Sequence, residues 1–279
     1  MSVYLRPQTL TDATQILASQ GGTILSGGTD FFPALGDRPV TGTVIDISGI
    51  REMRGIRTTP AEIRIGGLTT WSEVVASPLP RCLDALKSAA REIGGIQIQN
   101  RGTVAGNLCN ASPAADGVPP LLALDAEVDL ASSKGTRRVP LCEFIVGNRK
   151  TLRRADEILT AVIVPRTLDA AASVFLKLGA RRYLVISIAM MAAVIQVDHG
   201  LVSATRIAVG SCSAAAQRLK TLEQALIGLP AQAGLGAKVT WQHLSPLSPI
   251  TDVRATAGYR VDATLTLISR ALETCVRSG

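Results

Sequence analysis

The stretch Asn100–Asp116, NRGTVAGNLCNASPAAD, decides how this chain is read. It follows a helix-like segment and mixes glycines, small hydroxyl residues, asparagines and a single acid. Nothing in it has the pattern of a core strand, so it is expected to be a long irregular loop. Such a loop inside a compact domain is usually functional.

A second glycine-rich segment, ILSGGTDF (Ile24–Phe31), follows a short apolar run that reads as a strand. Glycines lack Cβ and let successive main-chain N–H groups converge on an anion, and Ser or Thr hydroxyls add donors. Two such loops could clamp a pyrophosphate from both sides. Either one alone could be an ordinary tight turn. Read together, they point to a phosphate-bearing cofactor without naming it. Other sites are excluded by pattern. No G-x-G-x-x-G fingerprint is present, no Lys follows GGTILSGG as a Walker loop requires, and no G-x-S-x-G marks a hydrolase. His199 and His243 stand apart from any acid or nucleophile and read as turn or surface residues. A chain so poor in catalytic side chains needs a cofactor to carry chemistry, and no catalytic residue is assigned.

Composition bounds the class. The 279 residues are 47% hydrophobic and 18% charged, enough for two domains with real cores. The apolar run Leu184–Val197 is too short to span a bilayer, which needs about 20 residues. The N-terminus MSVYLRPQTLTDATQ lacks signal-peptide order, so a cytoplasmic protein is expected. Five scattered cysteines without C-x-x-C spacing argue for free thiols and against a metal site on this chain. The net charge of +7 goes with 3% aromatic residues, a poor signature for nucleic-acid binding. Arg137–Arg138, Arg153–Arg154 and Arg181–Arg182 read as surface charges or as phosphate or partner contacts.

Along the chain, TLTDATQILAS reads as a helix capped by Thr11, followed by strands at TILS, VIDIS and IRIGG. TWSEVVAS and LPRCLDALKSAAREIGG read as helices, the second with Leu79, Leu83, Leu86 and Ala90 on one face. LLALDAEVDLAS is a short helix or turn feeding a strand, and EILTAVIVP is a strand closed by Pro165. Beyond residue 170, SVFLKLG, LVISIAMMAAVIQV and SATRIAVGSC read as three strands, with a hairpin at Asp198–His199–Gly200. AAAQRLKTLEQALIG and Arg254–Arg277 read as helices, with GLPAQAGLGAKVT as a loop between them. The expected fold is α+β. The character of the chain changes near residue 170. Residues 169–279 form a C-terminal domain with a three-stranded antiparallel sheet and helices.

These residues resemble the FAD-binding subunit of the molybdenum hydroxylases, the xanthine dehydrogenase and carbon monoxide dehydrogenase family. SGGTD resembles the family's A-G-G-T-D loop, and Asn100–Asp116 its R-x-x-x-T-I-G-G-N-x-x-x-A-S-P-x-x-D signature. PPLLALDAEV, DEILTAVIVP, FLKLGARRYLVISIA and DVRATAGYR continue the likeness over nearly the whole chain. The resemblance implies a two-lobed FAD domain of the vanillyl-alcohol-oxidase type over residues 1–168, with lobes at about 1–55 and 56–168, and FAD held noncovalently because neither loop carries a histidine. It assigns cofactor contacts to Ile24, Leu25, Ser26, Gly27, Gly28, Thr29, Asp30 and Phe31 in the first loop. In the second they fall on Thr103, Val104, Ala105, Gly106 and Asn107. Asp116 would reach ribityl or ribose hydroxyls, Leu159 and Lys177 would line the flavin, and Tyr183 would lie near its face. Read without the family, Asp116 could be a helix cap, Leu159 core, Lys177 a solvated lysine and Tyr183 packing under the small sheet. Ala105 stands where the family usually has Gly, a change tolerable only at negative φ.

The resemblance further implies partners: a large subunit holding the molybdenum cofactor and a small subunit with two [2Fe–2S] clusters, arranged as a dimer of heterotrimers. Electrons would pass through this chain to an external acceptor such as NAD or oxygen. Two other readings remain at this level, a self-contained flavin oxidase of the same broad fold and a non-enzymatic assembly protein.

Overall fold

The computed structural model describes residues 2–278. The chain opens with β1 (Ser2–Leu5), α1 (Leu10–Gln20), β2 (Thr23–Leu25), α2 (Phe31–Leu35) and β3 (Gly42–Asp46). Its three strands form a parallel sheet in the order β1-β3-β2. Thr9, not Thr11, caps α1, because its hydroxyl accepts from the Asp12 N–H at 3.1 Å. Ala13 and Leu17 on the buried side of α1 pack with Ile45, Ile47 and Ile50.

The middle of the chain contributes β4 (Ile56–Thr58), β5 (Glu62–Gly66), α3 (Trp71–Ala76), α4 (Asp84–Glu92), α5 (Ile96–Gln99), α6 (Val104–Asn110) and α7 (Val118–Ala123). There follow β6 (Glu127–Ser132), β7 (Gly135–Pro140), α8 (Leu141–Phe144), the short hairpin β8 (Ile145–Gly147) and β9 (Lys150–Thr151), and β10 (Ile158–Pro165). An antiparallel sheet runs β4-β5-β10-β6-β7. Its central strand β10 is apolar without alternation because both faces are covered. Ile158 packs with the α1 cluster and Leu159, Val162 and Val164 with the main core. The ladder to β6 is interrupted between Leu159 and Ala161. Ile158 and Leu159, at the start of β10 beside that irregularity, line the site described below. Arg137 and Arg138 lie on β7 and pair with Glu157, and with Asp129 and Glu62, so they tie this sheet together.

Asn100–Asp116 corrects the expectation of an irregular loop. Its middle is α6, with Thr103 as N-cap and Ala111 at φ 46° as C-cap. Val104, Ala105 and Leu108 face the core, and this burial offsets the weak helix propensity of Gly, Asn and Cys.

The last sheet contains β11 (Ala172–Leu178), β12 (Ala189–Asp198), β13 (Leu201–Gly210) and β14 (Gln217–Arg218), antiparallel in that order. The three expected strands are thus extended by a two-residue edge strand, taken from the start of the segment read as one helix. That helix, α9, covers only Lys220–Leu226, and α10 runs Ala257–Ser278. β12 begins at Ala189, so Leu184–Ser187 belong to the connection before it. His199 (φ 49°) and Gly200 (φ 77°) make the two-residue turn of the β12–β13 hairpin. Met190, Ala192 and Val194 of β12 face the main core, while Met191, Ala193 and Ile195 face α10. No helix among the described residues is long and apolar enough to cross a membrane. All five cysteines are unpaired.

Candidate cofactor site

The two glycine loops meet. β2 ends at Leu25, and Ser26–Asp30 then pass directly against Arg101–Gly106. A Cβ on Gly27 would sit 2.1 Å from the Arg101 carbonyl oxygen, so only glycine permits this approach. The Ser26 and Thr103 hydroxyls are 3.2 Å apart and hydrogen-bonded. Thr103 Oγ1 also accepts from the Gly106 N–H at 3.0 Å as the cap of α6. Gly28 has φ 77°, a left-handed conformation suited to its residue type. The main-chain N–H groups of Gly27, Gly28 and Thr29 have no acceptor among the described residues.

Between the loops runs a cleft of about 700 Å³, within the size range of cofactor pockets. All of Ile24–Phe31 lines it, as do Thr103, Ala105, Gly106, Asn107 and Leu159. Val104 does not: its side chain is core and its N–H donates to the Thr69 carbonyl at 3.0 Å. Ala105 lies in the first turn of α6 and is not among the residues of positive φ, so its methyl introduces no strain. Asn107 Oδ1 is buried without a hydrogen-bond partner. Helix α6 orders the cleft. Trp71, Ile98 and Gly102 stand by its N-terminal end, the glycine loop crosses its first turn, and Cys109, Asn110 and Arg149 stand by its C-terminal end. Asp30 is the one carboxylate residue in the lining. Burial pushes the Cys109 thiol up to about 11, with the Arg153 charge acting the other way.

Asp116, Lys177 and Tyr183 do not line the cleft. Asp116 and Lys177 form a buried ion pair at 2.6 Å, each side chain 7% exposed. The Ser187 hydroxyl donates to the other Asp116 oxygen, and Lys177 Nζ donates to the Glu92 carbonyl at 3.3 Å. Burial raises the Asp116 pKa above its ordinary value, while Lys177 and then Ser187 oppose the shift. The group lies just behind the cleft wall. Ile93, next to Glu92, lines the cleft, and Gly117, next to Asp116, approaches Asn107 and Trp71 closely. Tyr183 is 62% exposed with the Arg182 guanidinium 5.2 Å from its ring centre. It sits on the β11–β12 connection, whose Leu184 approaches Gly95.

Sequence reasoning passed over Trp71, Arg149 and Thr151, and left Arg153 among surface charges or phosphate or partner contacts. The only local signal for Arg149 was its place in the turn GNRKT. Its approach to the end of α6 is a tertiary contact.

Fold and cleft together define a cofactor-binding chain whose lining offers amides, hydroxyls and guanidinium groups. The FAD binding domain in molybdopterin dehydrogenase matches residues 1–167, and the CO dehydrogenase flavoprotein C-terminal domain matches residues 174–275. The chain is 36% identical to the nicotinate dehydrogenase FAD-subunit of Eubacterium barkeri, over 81% of this chain and 80% of that one. It is 32% identical to the putative xanthine dehydrogenase FAD-binding subunit of Escherichia coli K12, over 99% and 96% of the two chains. A chain of carbon monoxide dehydrogenase from Hydrogenophaga pseudoflava superposes with a TM-score of 0.89 at 27% identity, covering 99% and 97%. The chain belongs to the family of FAD-binding subunits of the molybdenum hydroxylases.

Proposed function

We propose that this chain carries FAD noncovalently as the electron-transfer subunit of a molybdenum-dependent hydroxylase. It takes electrons from the [2Fe–2S] clusters of a small partner subunit and passes them to an external acceptor such as NAD or oxygen. A large partner subunit holds the molybdenum cofactor, and the cytoplasmic assembly is a dimer of heterotrimers. In this reading residues 1–168 supply the cofactor cleft and 169–279 the C-terminal domain.

The observation that carries the reading is the contact between the two glycine loops, locked by Ser26 and Thr103, with the N–H groups of Gly27, Gly28 and Thr29 unpaired. Those amides fit pyrophosphate oxygens, and the orphaned Asn107 oxygen fits a ligand donor. Bound flavin supplies chemistry that proceeds by one or two electrons. The residues of the chain bind and orient. Ser26–Asp30 with Thr103, Ala105 and Gly106 hold the phosphates. Trp71, Ile98 and Leu159 supply apolar surface. The Asp116–Lys177 pair and Tyr183 stand at the flavin end. Asp30 as sole lining carboxylate gives little for the substrate acid–base chemistry that a self-contained oxidase needs.

The test is to purify the chain, alone and co-expressed with its partners, and titrate it with FAD. Yellow protein that releases free FAD on denaturation, together with recovery of a molybdenum subunit and an iron–sulfur subunit, is the expected result. Colourless protein that also fails to take up added FAD would sink the reading.

A further inference from the structure

The polar end of the cleft holds two guanidinium groups without a carboxylate. Arg149 and Arg153 both line it. Arg149 Nη1 donates to the carbonyl and the side-chain oxygen of Asn110 at the end of α6. Arg153 Nη1 donates to the carbonyls of Arg154 and Glu157, at 3.1 and 2.7 Å. The remaining two nitrogens of each have no partner among the described residues. The nearby carboxylate of Glu157 is already engaged by Arg137 and by the Arg154 N–H.

Arg149 is also held in place against its backbone preference. It has φ 57°, and its N–H donates at 2.9 Å to the carbonyl of Ala111, which has φ 46°. Two non-glycine residues in the left-handed region, bonded to each other, fix the β8–β9 turn on the end of α6. Strain of this kind persists where surrounding structure over-determines it, often at ligand sites.

The axial rise of α6 separates its first turn from Asn110 by about 9 Å. The first glycine loop crosses Arg101–Gly106, and the apolar residues Trp71 and Ile98 stand by that same N-terminal end of α6. A flavin mononucleotide placed with its ring at the apolar end would therefore stop short of the arginines. Only the adenylate half of a dinucleotide extends to them. A guanidinium suits the adenosine end on two counts, since its planar face stacks on a purine and its N–H groups donate to ribose or ring acceptors.

We propose that Arg149 and Arg153 form an adenylate subsite, which makes the cleft select FAD over FMN. The proposal rests on the reading of the cleft as the flavin site. Arg153 forms the half-buried floor and Arg149 the exposed rim.

The test uses the full-length chain freed of flavin, with Arg149→Asn, Arg153→Gln and the double variant. Asn tolerates a left-handed φ, so the turn keeps its conformation, and a thermal melt of each apo-protein checks folding. FAD and FMN affinities are read by flavin fluorescence, and ADP is titrated as a competitor of FAD. The expected result is a loss of at least about tenfold in FAD affinity for the double variant. ADP competition should be lost too, with FMN affinity unchanged and a single cooperative melt retained. Arg149→Lys should recover little, because an ammonium has no planar face to stack. Equal FAD affinity in wild type and double variant, or a matching loss for FMN, would overturn the subsite while leaving the flavin reading intact. A wild-type chain that binds no FAD would overturn both.

Discussion

Replacing Lys177 with Met tests what the buried Asp116–Lys177 pair contributes. The substitution keeps the stem that crosses from β11 and removes the ammonium group. Asp116 then retains only the Ser187 hydroxyl, at a position where each member of the pair is 7% exposed. Breaking a buried pair from one side costs about 3–5 kcal/mol, because a charge is left without compensation. With an unfolding entropy of about 2.1 cal/mol/K per residue, that corresponds to a fall in Tm of about 5–9 °C for the 279-residue chain. The cost should depend on pH. Burial already raises the Asp116 pKa, and Lys177 is the larger of the influences holding it down. Without Lys177 it rises further. The folded state then keeps a proton that the unfolded chain releases above about pH 3.9. Stability is therefore lost as pH rises from that value through the native pKa, and in the variant the loss continues to higher pH. Urea unfolding at about pH 5 and pH 8 should show a small deficit at the lower pH and the full deficit at the higher. Adding Asp116→Asn should restore part of the loss at about pH 8, because no charge is then buried. A cost below about 1 kcal/mol at both pH values, or one independent of pH, would refute the argument.

Three further substitutions address the loops. Gly27→Ala places a methyl 2.1 Å from the Arg101 carbonyl. It should abolish FAD binding in a fluorescence titration, with a stability cost of about 1–3 kcal/mol from the forced loop shift. Thr103→Ala removes the α6 cap and the bond to Ser26. Urea melts should show a loss of about 1–2 kcal/mol, and FAD affinity should fall with it. Ala105→Gly restores the residue usual in the family but should bring no gain in FAD affinity. It should cost about 0.5–1 kcal/mol in the same melts, since Ala105 sits in a helical turn.

What the linear sequence made legible was local chemistry. Helix periodicity marked α1 and α4, because side-chain spacing reports directly which face meets a core, while apolar runs bounded by turn residues marked β10 and the β12–β13 hairpin. The two glycine loops were legible as well, since glycine, Ser and Thr beside a strand end already imply converging amides. Helix α6 was not. Gly106, Asn107, Cys109 and Asn110 are poor helix formers, and the turn exists because Thr103 caps it and the core takes Val104 and Leu108. Lys177 alternates like a solvated residue on its strand. It becomes a buried partner of Asp116 only because β11 packs beside the segment leading into α7, bringing together residues 61 apart in sequence. Likewise, Arg149 and Arg153 are separated in sequence from both glycine loops, and only closure of the β8–β9 turn on α6 makes them cleft residues. Composition and spacing pointed to a phosphate-bearing cofactor. Where that cofactor's charges and rings could rest was decided by long-range contacts, which no local pattern encodes.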